Sequence, residues 1–154
     1  MPQISNFTYE EISLGQTATY TRTVGEREIQ LFAAASGDVN PVHLDEDFAA
    51  STQFKGRIAH GMLTGAFISA ALAMELPGPG TIYLGQSLRF RLPVKIGDTI
   101  TVSLEVIEKK DRRQYVTLEC KASNQDGKVV ATGTAEVMAP SEKMVIEAPA
   151  LPEF

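Results

Sequence analysis

The sequence predicts an α+β fold in which a curved antiparallel sheet wraps a long central apolar helix, and three observations carry that expectation. The run Gly61 to Leu76, GMLTGAFISAALAMEL, is apolar on nearly every helical face rather than along one stripe. One strand-like segment precedes it and four follow, most with apolar and polar residues in alternation. A sheet with one apolar face and a helix with no polar face each need a cover, and curling the sheet around the helix supplies both. A sheet with helices laid flat on one side would leave the far face of the helix wet.

The elements follow in order. Gln16 to Val24, QTATYTRTV, is rich in β-branched residues and reads as a first strand. Glu26 to Ser36 has acidic residues in its first turn, Ile29, Phe32 and Ala33 at helical spacing, and Gly37 as its stop, which makes a helix. Asn40-Pro41 disfavours helix, so 38–44 is expected to be loop, after which Asp45 caps a short helix through Phe48 and Ala50. The run PGPG at 77–80 ends the apolar helix. From Thr81 to Leu92, Leu88, Phe90 and Leu92 are expected to face the core, with Ser87, Arg89 and Arg91 facing away. Val102, Leu104 and Val106 mark the next strand, and Val116, Leu118, Cys120 and Ala122 the one after. Asp126-Gly127 suits the tight turn into the last strand, Lys128 to Ala139. The Pro-containing tail has no period and is expected to wrap a surface or move.

These 154 residues suit a single domain spanning 1–154, with a core from about 10 to 140 and an extended tail at 141–154. The net charge of −5 argues against a nucleic-acid surface. Cys120 is the only cysteine, so no disulfide within the chain and no cysteine-based zinc or redox site can form. The N-terminal residues lack the pattern of a signal peptide, and the apolar run is shorter than the ~20 residues that cross a bilayer. No membrane association is expected, and the cytoplasm is the expected compartment.

Candidates for proton transfer are few. Asp38 and His43 lie five residues apart in SGDVNPVHLD, where the Pro41 bend can bring carboxylate and imidazole together. Aimed at one water, such a pair can deprotonate it and hand a proton to carbon, as hydration of an activated double bond requires. The same fragment is also a common turn. Gly61 opens the apolar helix, where unpaired N–H groups could stabilise an enolate oxygen and the missing Cβ admits a carbonyl; it could equally serve close packing. His60 reads as a structural or positioning group, and Ser69 as a residue behind the pair rather than a nucleophile, since no GxSxG elbow surrounds it. Arg89 and Arg91 could meet phosphates or simply be solvated. No HxH or HExxH spacing supports a metal site, and none is expected.

Three pieces in order resemble the MaoC-like (R)-specific enoyl-CoA hydratase family of the polyhydroxyalkanoate type. They are Asp38, Asn40, Pro41 and His43, then HGML at 60–63, then YLGQSLRFRLPVKIGDT at 83–99, within a resemblance covering about Glu10 to Pro140. The resemblance implies a hot-dog fold, a homodimer with sheets joined edge to edge, and an acyl tunnel near the interface. It further implies reversible hydration of trans-2-enoyl-CoA to (R)-3-hydroxyacyl-CoA without a cofactor. Asp38 and His43 would hold the water, Gly61 N–H would polarise the thioester, Ser69 would orient the pair and Asn40 would brace the loop. An acyl-carrier-protein substrate, a hot-dog thioesterase and a non-catalytic acyl-thioester module are the alternatives.

Overall fold

A computed structural model describes residues 2–154. Its elements, in order, are β1 (Gln3–Ser5), β2 (Thr17–Thr23), α1 (Glu26–Ser36), α2 (Pro41–Leu44), α3 (Glu46–Ala50), α4 (Gly61–Met74), β3 (Ile82–Phe90), β4 (Thr99–Lys110), β5 (Tyr115–Ser123), β6 (Val129–Met138) and β7 (Val145–Glu147). Strands β2 to β6 form one antiparallel sheet in the order β2-β4-β5-β6-β3. Consecutive β2 and β3 thus sit at opposite edges. The chain between them must cross the sheet, and α4 lies in that crossing, packed against β2, β4 and β5.

Alternation decides which side of the sheet faces α4. Ile100, Val102, Leu104 and Val106 of β4 and Val116, Leu118, Cys120 and Ala122 of β5 are buried, as are Leu63, Phe67, Ile68, Ala71 and Leu72 of α4. This shared core is the hot-dog arrangement the patterning calls for. Gly37, at φ +80°, closes α1 by donating to the Ala33 carbonyl, and Gly127, at φ +74°, makes the β5–β6 turn. None of the described helices is long and apolar enough to cross a membrane.

Two expectations are corrected. Pro41–Leu44 is a helical turn, not loop, because the restriction before proline falls on Asn40 alone; Pro41 sits at the first helical position and the Asn40 side chain caps Val42 N–H. Phe90 and Leu92 are exposed, not core, because β3 is the sheet edge; the Phe90 ring meets only the bare start of α4 at Gly61 and stays 50% exposed. On α4, Met62 is 57% exposed, and Ala66 and Ala73 are exposed as well. Within the tail, β7 pairs antiparallel with β1 in the register Ile4↔Ile146. Buried Asn6 anchors that ribbon: its Nδ2 donates to the Pro79 and Glu142 carbonyls at 3.0 and 2.8 Å, and its Oδ1 accepts from Met144 N–H at 3.0 Å. Three-residue strands are too short to leave a period in the sequence.

Candidate active site

The segment after α1 is folded by its own short polar side chains. Ser36 Oγ donates to the Phe32 carbonyl at 2.7 Å and accepts from Asp38 N–H at 3.1 Å. Asp38 Oδ1 accepts from Asn40 N–H at 3.1 Å, and Asn40 Oδ1 accepts from Val42 N–H at 3.1 Å. Each bond fixes the residue that makes the next, which is how Asp and Asn direct a turn in place of a regular ladder. Asn40 thus links Asp38 to the first turn of α2. The chain then enters α2 with His43 turned inward and Asp38 left about half exposed.

Asp38 and His43 do come together. His43 Nε2 stands 3.8 Å from Asp38 Oδ2, and its Nδ1 is 2.8 Å from the Ile58 carbonyl oxygen. A carbonyl only accepts, so Nδ1 carries the proton, and in the neutral ring Nε2 is a bare acceptor facing the carboxylate. At 3.8 Å the two groups are too far apart for a direct hydrogen bond. They are well placed to share one water, whose two hydrogens match two acceptors at about 2.8 Å each.

His60 lies against this pair. Its ring stacks on His43 with centroids 3.9 Å apart and 25° between planes, and its Nε2 is 3.0 Å from the Asp38 carbonyl oxygen. Gly61 follows as the first residue of α4, where its N–H and that of Met62 precede the first carbonyl-bonded amide, Leu63 N–H to the His60 carbonyl at 3.0 Å. A Cβ at Gly61 would lie 3.1 Å from Cε1 and Cζ of Phe90, so the exposed ring of β3 rests on the bare glycine. Beside it opens a cleft of about 310 Å³ lined by His60, Gly61, Thr64, Phe90 and Arg91 among others. Arg91, but not Arg89, reaches this cleft, and its Nε donates to Thr132 Oγ1 at 3.2 Å.

Ser69 lies two turns along α4 from Gly61, about 12 Å at 1.5 Å per residue, and makes no hydrogen bond to Asp38 or His43. It lines a second, larger cleft of about 550 Å³ between α4 and β3, together with Phe32, Met62, Gly65, Ala66 and Leu88.

Arg57 is a site residue that sequence reading missed. Its Nε donates to the His43 carbonyl at 2.7 Å, while its two terminal nitrogens grip Glu26 of α1 at 2.8 and 3.1 Å. These hydrogen bonds from Arg57, with its charge, hold the Glu26 carboxyl below its usual pKa. Nothing in the spacing of residues 26, 43 and 57 announces the link; only the fold brings them together.

Donor atoms of Asp38, His43 and His60 lie within 4.8 Å of one another. Ring nitrogens bind zinc along in-plane lone pairs at about 2.0–2.1 Å, and two stacked rings aim those pairs along nearly parallel planes that do not converge on one ion. The trio is better matched to moving protons than to ligation.

Comparison with known proteins adds the family context. Residues 10–127 match the MaoC like domain. The chain is 48% identical over 133 residues to an (R)-specific enoyl-CoA hydratase of Rhodospirillum rubrum, covering 86% of this chain and 92% of that one. Among solved structures it is similar to the R-hydratase PhaJ1 from Pseudomonas aeruginosa in its unliganded form, with 57% identity and a TM-score of 0.96 over 99% of this chain and 98% of that one. It is also similar to an (R)-hydratase from Aeromonas caviae involved in PHA biosynthesis, with 43% identity, a TM-score of 0.82, and coverage of 85% and 99%.

Proposed function

The chain belongs to the MaoC-like domain family, and from that premise we propose that it is an (R)-specific enoyl-CoA hydratase acting through Asp38, His43 and the N–H of Gly61. The observation that carries the reading is the 3.8 Å gap between Asp38 Oδ2 and His43 Nε2, set beside the open N-terminus of α4. A trans-2-enoyl thioester enters with its carbonyl against Gly61, where the absent Cβ lets it reach the backbone N–H. Water held by Asp38 and His43 gives one proton to the pair as its oxygen bonds to C3. The electron pair of the double bond shifts toward the thioester oxygen, which Gly61 N–H and the helix terminus stabilise. The proton on the pair then passes to C2, so water is added in full and the pair returns to its starting state. In reverse the same steps dehydrate the 3-hydroxyacyl thioester.

The apolar cleft along Met62, Gly65, Ala66 and Ser69 suits the acyl chain, with Ser69 a wall residue on this reading. Arg91 stands where the phosphate-bearing arm of coenzyme A, or the phosphopantetheine of an acyl carrier protein, would pass. We place the homodimer interface at β3. That edge strand shows exposed Ile82, Tyr83, Leu84 and Phe90, and Met62 and Ala66 of α4 are bare beside it. One domain for the whole chain and a reducing, cytoplasmic setting complete the reading, the latter supported by the lone buried thiol.

Incubation with crotonyl-CoA tests it. Loss of the conjugated thioester absorbance without release of free thiol, giving the (R) product, is expected. Thiol release would mark a thioesterase, an (S) product would remove the assignment, and binding without turnover would mark a non-catalytic module.

A further inference from the structure

We infer that His60 is a positioning residue that sets Asp38 and His43 in register with Gly61, held in place at a cost to the stability of the fold. The inference rests on the hydratase reading above and adds a role for a residue that need not touch substrate.

His60 is 3% exposed, and its ring touches both members of the pair. Its Nε2 donates to the backbone carbonyl of Asp38 at 3.0 Å. One face covers the His43 ring at 3.9 Å between centroids, and Phe32 meets the ring at 4.9 Å and 53°. Its own backbone is the N-cap of α4, one peptide before the Gly61 N–H. Asp38 needs such a tie, because its side chain is 47% exposed and its carboxylate is otherwise fixed only by the Asn40 N–H.

The cost is visible at the other nitrogen. With Nε2 donating to a carbonyl, neutral His60 has a bare acceptor at Nδ1, and that atom is buried with no hydrogen-bond partner. An unpaired buried acceptor destabilises a fold. A side chain chosen for packing alone would avoid it: phenylalanine fills a similar ring-shaped space with no orphaned atom. The bond that imidazole makes and phenylalanine cannot is the one to the Asp38 carbonyl, on a residue that is otherwise exposed.

Two substitutions separate the ring from the hydrogen bond. His60→Phe keeps a ring between Phe32 and His43 and loses the donor, whereas His60→Gln keeps an N–H near the same point and loses the stack. For His60→Phe we expect kcat to fall on the order of 10- to 100-fold, as misplacement of reacting groups by ~1 Å does, with KM within about threefold and Tm held or raised. His60→Gln should recover part of the lost kcat. A merely structural His60 would show the opposite pattern, with Tm falling and kcat of the folded fraction near wild type in both variants, and that result overturns the inference. A second readout does not depend on turnover. Only two histidines are present, so nitrogen NMR resolves both rings: the proton should sit on Nε2 of His60 and Nδ1 of His43, the His60 signals being those lost in His60→Gln. A proton on Nδ1 of His60 would refute the tie to Asp38. If the wild-type chain hydrates no enoyl thioester, the functional reading fails, while the tautomer measurement still decides the tie.

Discussion

Replacing Arg57 with alanine should weaken both the fold and the reaction, and the structure gives the size of each effect. Arg57 is the strut between α1 and the four-residue helix that carries His43. Its loss leaves the carbonyl of buried His43 without that donor, a penalty of about 1–2 kcal/mol. The bidentate grip on Glu26 adds roughly 1 kcal/mol, since the Glu26 side chain is half exposed and solvent screens the pair. A total of about 2–3 kcal/mol corresponds to a Tm lower by roughly 5–10 °C for a chain of this size. Because α2 is one turn long, its release should also misplace His43 and lower kcat by about tenfold or more. Thermal melts and crotonyl-CoA hydration measure the two together. Glu26→Gln is the control: it spares the bond to His43, so it should cost about 1 kcal/mol and leave kcat nearly intact. That cost should depend on pH. The folded pKa of Glu26 lies below the ordinary 4.5, so its contribution is present above that value and fades as pH falls through the folded pKa, where wild type and Glu26→Gln should converge. An Arg57→Ala variant with unchanged Tm and unchanged kcat would refute this reasoning.

Other parts of the molecule give equally definite expectations. Gly61→Ala puts a methyl 3.1 Å from the Phe90 ring, which is exposed and can yield, so Tm should move little while kcat/KM falls by about 10-fold or more as the thioester is held off the backbone; unimpaired turnover would remove Gly61 from the site. Asn6→Ala removes three hydrogen bonds from a fully buried side chain and should cost about 2–3 kcal/mol, read as a lower Tm and faster proteolysis of 141–154; an unchanged digestion pattern would contradict the anchoring role. Burial pushes the Cys120 thiol up to about 11, so native protein should resist alkylation at pH 8 and react only once unfolded, and rapid labelling of folded protein would contradict the packing of β5.

What could be read from the chain, and what could not, divides by range. The α1 boundaries, the β5 alternation and the turn at Gly127 are local, each written by period or by a residue suited to positive φ, and they match the structure. Gly61 to Leu76 gave away the central helix because no surface helix tolerates so little polarity. The reading of Phe90 and Leu92 failed for a different reason: alternation says which residues share a face, not whether anything covers that face at the sheet edge. At the site, Asp38, Asn40 and His43 were legible because their geometry is made within six residues by side-chain-to-backbone bonds. Arg57 and Phe32 were not, since their parts depend on α1 crossing the segment before α4. Ser69 marks the converse limit: it lines the cleft between α4 and β3 and makes no hydrogen bond to the pair it was expected to orient.

A double-mutant cycle on Asp38 and His43 tests the shared-water account most directly. Asp38→Asn and His43→Ala should each lower kcat for enoyl-CoA hydration by about 10²- to 10⁴-fold. The double variant should be scarcely slower than the worse single one, because groups that hold one water are lost as a unit. Independent, multiplying losses, or either single variant within a few-fold of wild type, would contradict a common water between them.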